Sequence, residues 1–294
     1  MTALVTPLPL LSSKIVTTCW NNLNKLEWNW GFAFTSHGIH LAVRVSDPAL
    51  LPMLRRRLPP DATPSIAKSV DRYFSVILGG AEGGMRIRRY NILYLDHVML
   101  ARSHELDDVL DSFETAVRLS VAELARNRVF VHAGAVGWNG RAIVIPGKSF
   151  AGKTSLVVEL VKAGATYYSD EFAVLDSKGR VHPFLKPLSL RENGNGRQHN
   201  VAVEEIGGWA GRKPLSIGLV VVSAYKPDAR WRPVTLSPGE GALALLSNTV
   251  SARRAPETVL ATLGRVVSAA PVITSKRGAA AAAAQAILDI MNRK

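Results

Sequence analysis

Residues 143–155 read Ile-Val-Ile-Pro-Gly-Lys-Ser-Phe-Ala-Gly-Lys-Thr-Ser. The apolar run at the start predicts a buried strand, the two glycines predict a tight loop, and the apolar residues that follow predict a helix. Gly147, Gly152, Lys153 and Thr154 fit the pattern G-x-x-x-x-G-K-[ST] of the phosphate-binding P-loop. The stretch therefore predicts a strand, a P-loop and a helix, in that order.

The residue types of this stretch suit phosphate binding. Glycines let the backbone turn so that several N–H groups point into one concavity, and the N-terminus of the next helix adds positive charge. Lys153 is a mobile cation for the β- and γ-phosphates, and the Thr154 hydroxyl can ligate Mg²⁺. The predicted nucleotide-binding residues are Gly147, Lys148, Ser149, Phe150, Ala151, Gly152, Lys153, Thr154 and Ser155. The alternative interpretation is a solvated loop before an ordinary helix.

Composition limits the class of protein. The chain has 294 residues, 47% of them hydrophobic, which is enough for one large domain or two ordinary ones. Cys19 is the only cysteine, which excludes an intrachain disulfide and a cysteine zinc site. The sequence contains neither a run of about eighteen apolar residues nor a convincing signal peptide. We therefore expect a cytoplasmic protein that does not bind membranes.

The formal net charge of +13 favours anionic ligands. Candidate anionic ligands are a nucleotide, an acidic peptide and nucleic acid. The sequence does not favour nucleic acid, because no recognition helix or RNA-binding signature accompanies the charge.

The pattern of apolar residues predicts two domains. Residues 1–104 contain short runs with strand character, among them Trp28 to Phe34, Ile39 to Val45 and Met85 to Tyr90, which predict a β-rich module. Leu106 to Arg126 repeats apolar residues at three- and four-residue steps, which predicts an amphipathic helix. We place the domain boundary just before this helix and assign residues 105–294 to a mixed α/β domain that contains the P-loop.

Three more residues are candidates for chemistry. Asp170 and Glu171 follow an apolar strand sixteen residues after Thr154. Neighbouring acids on a strand point in different directions, so one can act as a base while the other organises Mg²⁺. His132 lies on a strand that the Asn139-Gly140 turn connects to the P-loop strand. The alternatives are a solvated turn pair for the acids and a structural role for His132.

The motifs around His132, Gly147 to Ser155 and Asp170, in this order, resemble the catalytic domain of HPr kinase/phosphorylase and its related kinases. The resemblance covers about residues 125–292. It implies a P-loop fold of the phosphoenolpyruvate-carboxykinase type and ATP- and Mg²⁺-dependent phosphorylation of a serine hydroxyl. Asp170 would then be the base, and His132 would lie near the γ-phosphate. Lys153 would act on the transferred phosphoryl group.

The resemblance also implies which residues would ligate the metal. Thr154 would ligate Mg²⁺ together with Asp170, and Glu171 stands where the family has a second Asp.

The family's Glu-x-Arg-Gly segment has no match in the same order near Arg191, which argues against the reverse, phosphate-removing reaction. The first 104 residues match no motif of that family.

We interpret the chain as an ATP- and Mg²⁺-dependent serine kinase that acts on a peptide or small protein. The alternatives are a kinase of free serine, a nucleotide-gated accessory protein without kinase activity, and an NTPase linked to nucleic acid. Asp170 favours a kinase over a switch, because a switch needs no base for a hydroxyl. The sequence leaves open whether the protein is a homo-oligomer.

Overall fold

The computed structural model describes residues 26, 28–80, 90–148, 151–191 and 198–293. The chain divides into two compact units, Met1–Arg126 and Asn127–Lys294. The amphipathic helix therefore belongs to the first unit, and the division comes after it instead of at the predicted position 104/105. Within the described ranges, no helix has the length and apolar character needed to cross a membrane.

The first unit is a six-stranded sheet with a long helix. In sequence order its elements are β1 (Trp30–Ser36), β2 (Ile39–Val45), α1 (Leu50–Arg55), β3 (Thr63–Pro64), β4 (Arg72–Ile77), β5 (Asn91–Leu95), β6 (Val98–Ser103) and α2 (Leu106–Leu124). The strand order is β3-β1-β2-β4-β5-β6. The predicted strand at residues 85–90 lies almost entirely outside the described residues.

The helix α2 explains the position of the boundary. Val109, Leu110, Phe113, Val117, Val121 and Leu124 are buried along one face. The Phe113 ring meets Phe74 of β4 edge-on, with 5.4 Å between ring centroids. An amphipathic helix is stabilised mainly by packing its apolar face. This helix buries that face against the sheet of the first unit.

The second unit is a mixed sheet with helices on both faces. Its strands are β7 (Val129–Trp138), β8 (Arg141–Pro146), β9 (Thr166–Ser169), β10 (Phe172–Leu175), β11 (Arg180–His182), β12 (Leu188–Arg191), β13 (Gln198–Val201), β14 (Leu215–Tyr225), β15 (Val234–Thr235) and β16 (Val272–Arg277). Its helices are α3 (Lys153–Lys162), α4 (Pro238–Leu246), α5 (Pro256–Ala269) and α6 (Ala280–Asn292), with short 3-10 helices at Val203–Ile206 and Val250–Arg253. The main sheet has the order β11-β10-β7-β8-β14-β16-β15, and β9 also pairs with β7.

Alternating side chains of the central strands build a separate core on each face of this sheet. Ile143 and Ile145 of β8 pack with α3 and α6 on one face. Ala142 and Val144 pack with α5 on the other face. Successive residues of a strand point to opposite faces. Because both faces of β8 are covered, all of its inward and outward side chains from Ala142 to Ile145 are apolar. The mixed α/β class predicted from the sequence is confirmed.

The hairpin of β7 and β8 brings His132 to the loop that follows β8. Asn139 and Gly140 have φ values of +47° and +74°, as a two-residue hairpin turn requires. Gly134 of β7 faces α3, where a Cβ atom would lie 2.5 Å from Val157 Cγ2. The absence of a side chain at Gly134 lets the helix after the loop lie close to β7.

The strands β9 and β10 follow one another along the same side of β7. Ser169 of β9 pairs with Ala135, and Phe172 of β10 pairs with His132. Asp170 and Glu171 occupy the break between the two strands. The break places both acids next to the loop that follows β8.

Candidate functional site

The loop between β8 and α3, residues 147–152, is called the glycine loop here. The backbone N–H of Gly147 donates to the carbonyl of His132 at 3.2 Å. Gly152 has a φ of +79°, a value that favours glycine. Lys153 begins α3 and is only 8% exposed, and its Nζ donates to the Lys148 carbonyl at 2.9 Å across the loop. Ser149 and Phe150 lie outside the described residues.

The carboxyl group of Asp170 is buried beside Thr154. Asp170 is 8% exposed, and the Thr154 hydroxyl donates to its Oδ2 at 3.3 Å. The backbone N–H of Ser189 also donates to this carboxyl group. Burial raises the pKa of Asp170 above its usual range, although hydrogen bonds from Tyr167 and Thr154 partly oppose the shift. The arrangement yields a carboxylate that accepts a proton more readily than one in water.

The Tyr167 hydroxyl lies between Asp170 and the backbone of Lys186. The Tyr167 hydroxyl lies 3.0 Å from Asp170 Oδ1 and 2.9 Å from the carbonyl oxygen of Lys186. A hydroxyl group carries one proton, so it can donate to only one of these two oxygens. When the Tyr167 hydroxyl donates to Asp170 Oδ1, it stabilises and orients the ionised carboxylate that a base requires.

The charges of Lys153 and His132 depend on burial. Burial lowers the pKa of Lys153 to about 8, although the charges of Asp170 and Glu171 oppose the shift. Burial, with a contribution from the Lys153 charge, lowers the pKa of His132 to about 4. His132 is therefore neutral at physiological pH, while Lys153 keeps most of its charge. An anion bound at the loop would raise the pKa of Lys153.

Most of the predicted site residues line one cavity of about 940 Å³. The predicted site residues that line this cavity are His132, Gly152, Lys153, Thr154, Ser155, Asp170 and Glu171. A second cavity of about 460 Å³ is also lined by His132, together with Lys148 and residues 247–250. Gly147 and Ala151 line neither cavity. His132 therefore stands where the two cavities adjoin.

The candidate metal ligands form a partial set. Thr154 Oγ1 and Asp170 Oδ2 supply two neighbouring oxygens, which are the donors that Mg²⁺ prefers. Glu171 Oε2 lies 3.9 Å from the Nζ of Lys186, which partly compensates its charge. In the described part of the chain, no cluster of three or more His, Cys, Asp or Glu side chains could hold a metal. The residues present fit a Mg²⁺ ion that takes further ligands from bound phosphate, as such ions usually do.

The structure also places residues at the site that the sequence did not indicate. Arg277 at the end of β16 is 3% exposed, and its Nη2 donates to the Gly152 carbonyl at 2.7 Å. Lys186 lines the large cavity and pairs with Glu171. Tyr167 holds Asp170. Arg277 ends the strand Val-Ile-Thr-Ser-Lys-Arg, and nothing in this local sequence marks it as a site residue.

We expect Gly152→Ala to destabilise the protein more than Gly140→Ala. Both positions have positive φ, which costs about 1 kcal/mol for alanine. At Gly140 a Cβ atom meets nothing within 4 Å, whereas at Gly152 it lies 2.3 Å from Arg277 Nη2. The added methyl group would displace the Arg277 guanidinium and break its hydrogen bond to the Gly152 carbonyl, which costs about 1.5–3 kcal/mol more. Urea unfolding of both variants measures the difference, and equal losses would contradict the close contact between Arg277 and the loop.

His132 should make folding stability fall in mild acid. Its pKa is about 4 in the folded chain against 6.5 unperturbed, so between these values the unfolded chain binds more protons. Stability therefore falls as the pH is lowered through this window. The whole shift corresponds to about 3 kcal/mol, which partial exposure of the ring reduces to about 1–2 kcal/mol. His132→Asn should flatten the profile of unfolding free energy between pH 7 and pH 4.5, and an unchanged slope would rule out a buried neutral His132.

Comparisons with known proteins find distant likenesses among solved structures. No protein-family model matches the chain, and no curated protein matches it. Among solved structures, the chain is similar to the HPr(Ser) kinase/phosphatase from Coxiella burnetii, with 14% identity and a TM-score of 0.31. The match covers 56% of this chain and 95% of that one. A likeness this distant assigns neither a family nor an activity to the chain.

Proposed function

We propose that the protein is a kinase that transfers the γ-phosphoryl group of ATP to a serine hydroxyl of a peptide or small protein. One observation carries the proposal: a buried carboxyl group, Asp170, accepts a hydrogen bond from Thr154 directly beside the glycine loop. Phosphoryl transfer requires a phosphate cradle, a metal and a group that takes the proton of the acceptor. The second unit offers residues for each of these roles within one cavity.

The nucleotide binds at the glycine loop in this proposal. The loop matches the P-loop pattern, and Lys153 already directs its ammonium group across the loop to the Lys148 carbonyl. A γ-phosphate is a stronger partner for this ammonium than a carbonyl oxygen is. Mg²⁺ at Thr154 and Asp170 would neutralise charge on the phosphates. Lys153 then leaves the carbonyl and holds the transferred group.

Asp170 takes the proton of the acceptor hydroxyl. A base works best when its pKa lies near the working pH, and burial shifts the pKa of Asp170 in that direction. Tyr167 holds one carboxyl oxygen and Thr154 the other, so the orientation of the group is set before the acceptor arrives. Neutral His132 orients the reacting groups by hydrogen bonding, without adding charge.

The second cavity is the entrance for the acceptor in this scheme. In-line transfer requires the acceptor oxygen to approach the phosphorus from the side opposite the leaving group. The smaller cavity reaches His132 from the segment 247–250 and has Lys148 in its wall. An acceptor held there would face a γ-phosphate bound in the large cavity.

The proposal is tested with purified protein, Mg²⁺ and ATP labelled on the γ-phosphate. The acceptors are free L-serine, a synthetic serine peptide with acidic flanks and a lysate from which labelled proteins are identified. We expect label on serine of a peptide or protein. Label on free serine alone would identify an amino-acid kinase. Binding of ATP without any transfer would favour a nucleotide-gated accessory protein.

A further inference from the structure

A cavity of about 650 Å³ lies in the second unit, and its lining is strongly basic. We call it the basic basin. It is lined by Lys226, Pro227, Asp228, Ala229, Arg230, Arg232, Ser275 and Lys276. None of these residues belongs to the glycine loop or to the acid pair.

The charge of the basic basin is not balanced by neighbouring acids. Its four cationic side chains face one carboxylate of the lining, Asp228, so the net charge of the lining is +3. Of the ion pairs that the structure shows among the described residues, none involves any of the four cations. All four are exposed, so water now compensates their charge. Several like charges around one concavity raise the local concentration of anions.

The loop that carries the basin is held to β16 by its backbone. The backbone N–H of Lys226 donates to the Arg277 carbonyl at 2.9 Å, and that of Arg232 donates to Ser275 Oγ at 3.0 Å. The ring of Trp231 packs against the hydrophobic core of the unit. The loop that carries the four cations is therefore fixed to the sheet by hydrogen bonds and by packing.

The basic basin is close to the glycine loop. The strands β8, β14 and β16 are parallel, so the segments that follow them leave the sheet at the same edge. Arg277 contacts both regions: its side chain donates to the Gly152 carbonyl, and its own carbonyl accepts from Lys226. One residue therefore separates the basin from the proposed phosphate site.

We propose that the basic basin binds an acidic segment of the peptide or small protein that presents the acceptor serine. This inference rests on the proposed kinase function. Carboxylates complement the four cations, whereas the lining contains no aromatic ring on which a nucleobase could stack. The acceptor entrance beside His132 of β7 lies three strand positions from β16, about 14 Å at about 4.8 Å per strand. About five extended residues therefore connect a segment docked here with a serine at that entrance.

The test measures binding of a fluorescein-labelled peptide of eight glutamates by fluorescence anisotropy at low salt. Lys226→Glu combined with Arg230→Glu should weaken binding at least tenfold. Arg212→Glu combined with Lys213→Glu is the matched control, because these exposed residues precede the eleven-residue strand β14 that Lys226 follows. At about 3.3 Å per residue the two sites lie about 35 Å apart. The control should change binding less than threefold.

Three results would overturn this inference. One is an equal loss of binding in the control, which would make the effect one of overall charge. Another is a loss of ATP affinity in Lys226→Glu/Arg230→Glu, measured by calorimetry, which would assign the basin to the nucleotide. The third is tighter, basin-dependent binding of a uridine oligonucleotide than of the glutamate peptide. Peptide binding needs no phosphoryl transfer, so a failure of the kinase assay leaves this measurement interpretable.

Discussion

Asp170→Asn is expected to lower the rate of phosphoryl transfer by roughly 10²–10⁴, the usual contribution of a general base. The change is nearly isosteric, so the contacts with Tyr167 and Thr154 can persist in altered form. An amide cannot accept the proton of the acceptor hydroxyl. ATP should still bind, and its affinity should rise modestly because a negative charge near the phosphates is removed. Single-turnover transfer and calorimetric ATP binding measure the two effects separately.

The matched control for this variant is Asp289→Asn, which removes a carboxylate from the exposed surface of α6. It should leave transfer unchanged. If high Mg²⁺ restores the activity of Asp170→Asn, the carboxylate serves only to hold the metal. Undiminished transfer by Asp170→Asn would eliminate the mechanism proposed above.

Lys153→Met should abolish detectable transfer and weaken ATP binding by about 10–150-fold. A hydrogen bond to a charged group contributes about 1.5–3 kcal/mol, which corresponds to that range. Methionine keeps the apolar stem of the buried side chain and removes the ammonium group. The protein should remain folded, because burial already disfavours the charged form, as the lowered pKa of about 8 shows.

The control here is Lys178→Met, which changes an exposed lysine in the turn after β10. Its ATP affinity and transfer rate should equal those of the unchanged protein. Thermal unfolding of both variants checks that the fold is intact. Wild-type turnover by Lys153→Met would mean that the P-loop pattern is without function in this chain.

Local features of the site could be predicted from the sequence. The Asn139-Gly140 turn, the strand before the glycine loop and the helix after it are all confirmed, because turn chemistry and apolar period are local signals. Of the two predicted acids, Asp170 lies beside Thr154, and Glu171 lines the same cavity. The roles of these residues in binding and catalysis stay predictions.

Other features depend on contacts between distant parts of the chain. Arg277 reaches Gly152 across 125 positions, and only the parallel pairing of β14 with β8 and β16 creates that contact. The sequence pattern groups α2 with the second unit, whereas the structure packs it in the first, because its apolar face is equally consistent with either neighbour in sequence. The packing of Phe113 on Phe74, which decides the matter, cannot be read from periodicity.

The strand pairings that form the site join positions close together in sequence, which affects the order in which the chain folds. His132, the glycine loop and the acid pair are aligned by pairings that all lie within residues 129–175. Contacts between nearby positions close short loops, which costs little entropy and favours early formation. During synthesis on the ribosome these groups can meet before β14 and β16 have been made. Arg277 and the basic basin are then added to a site that already has its shape.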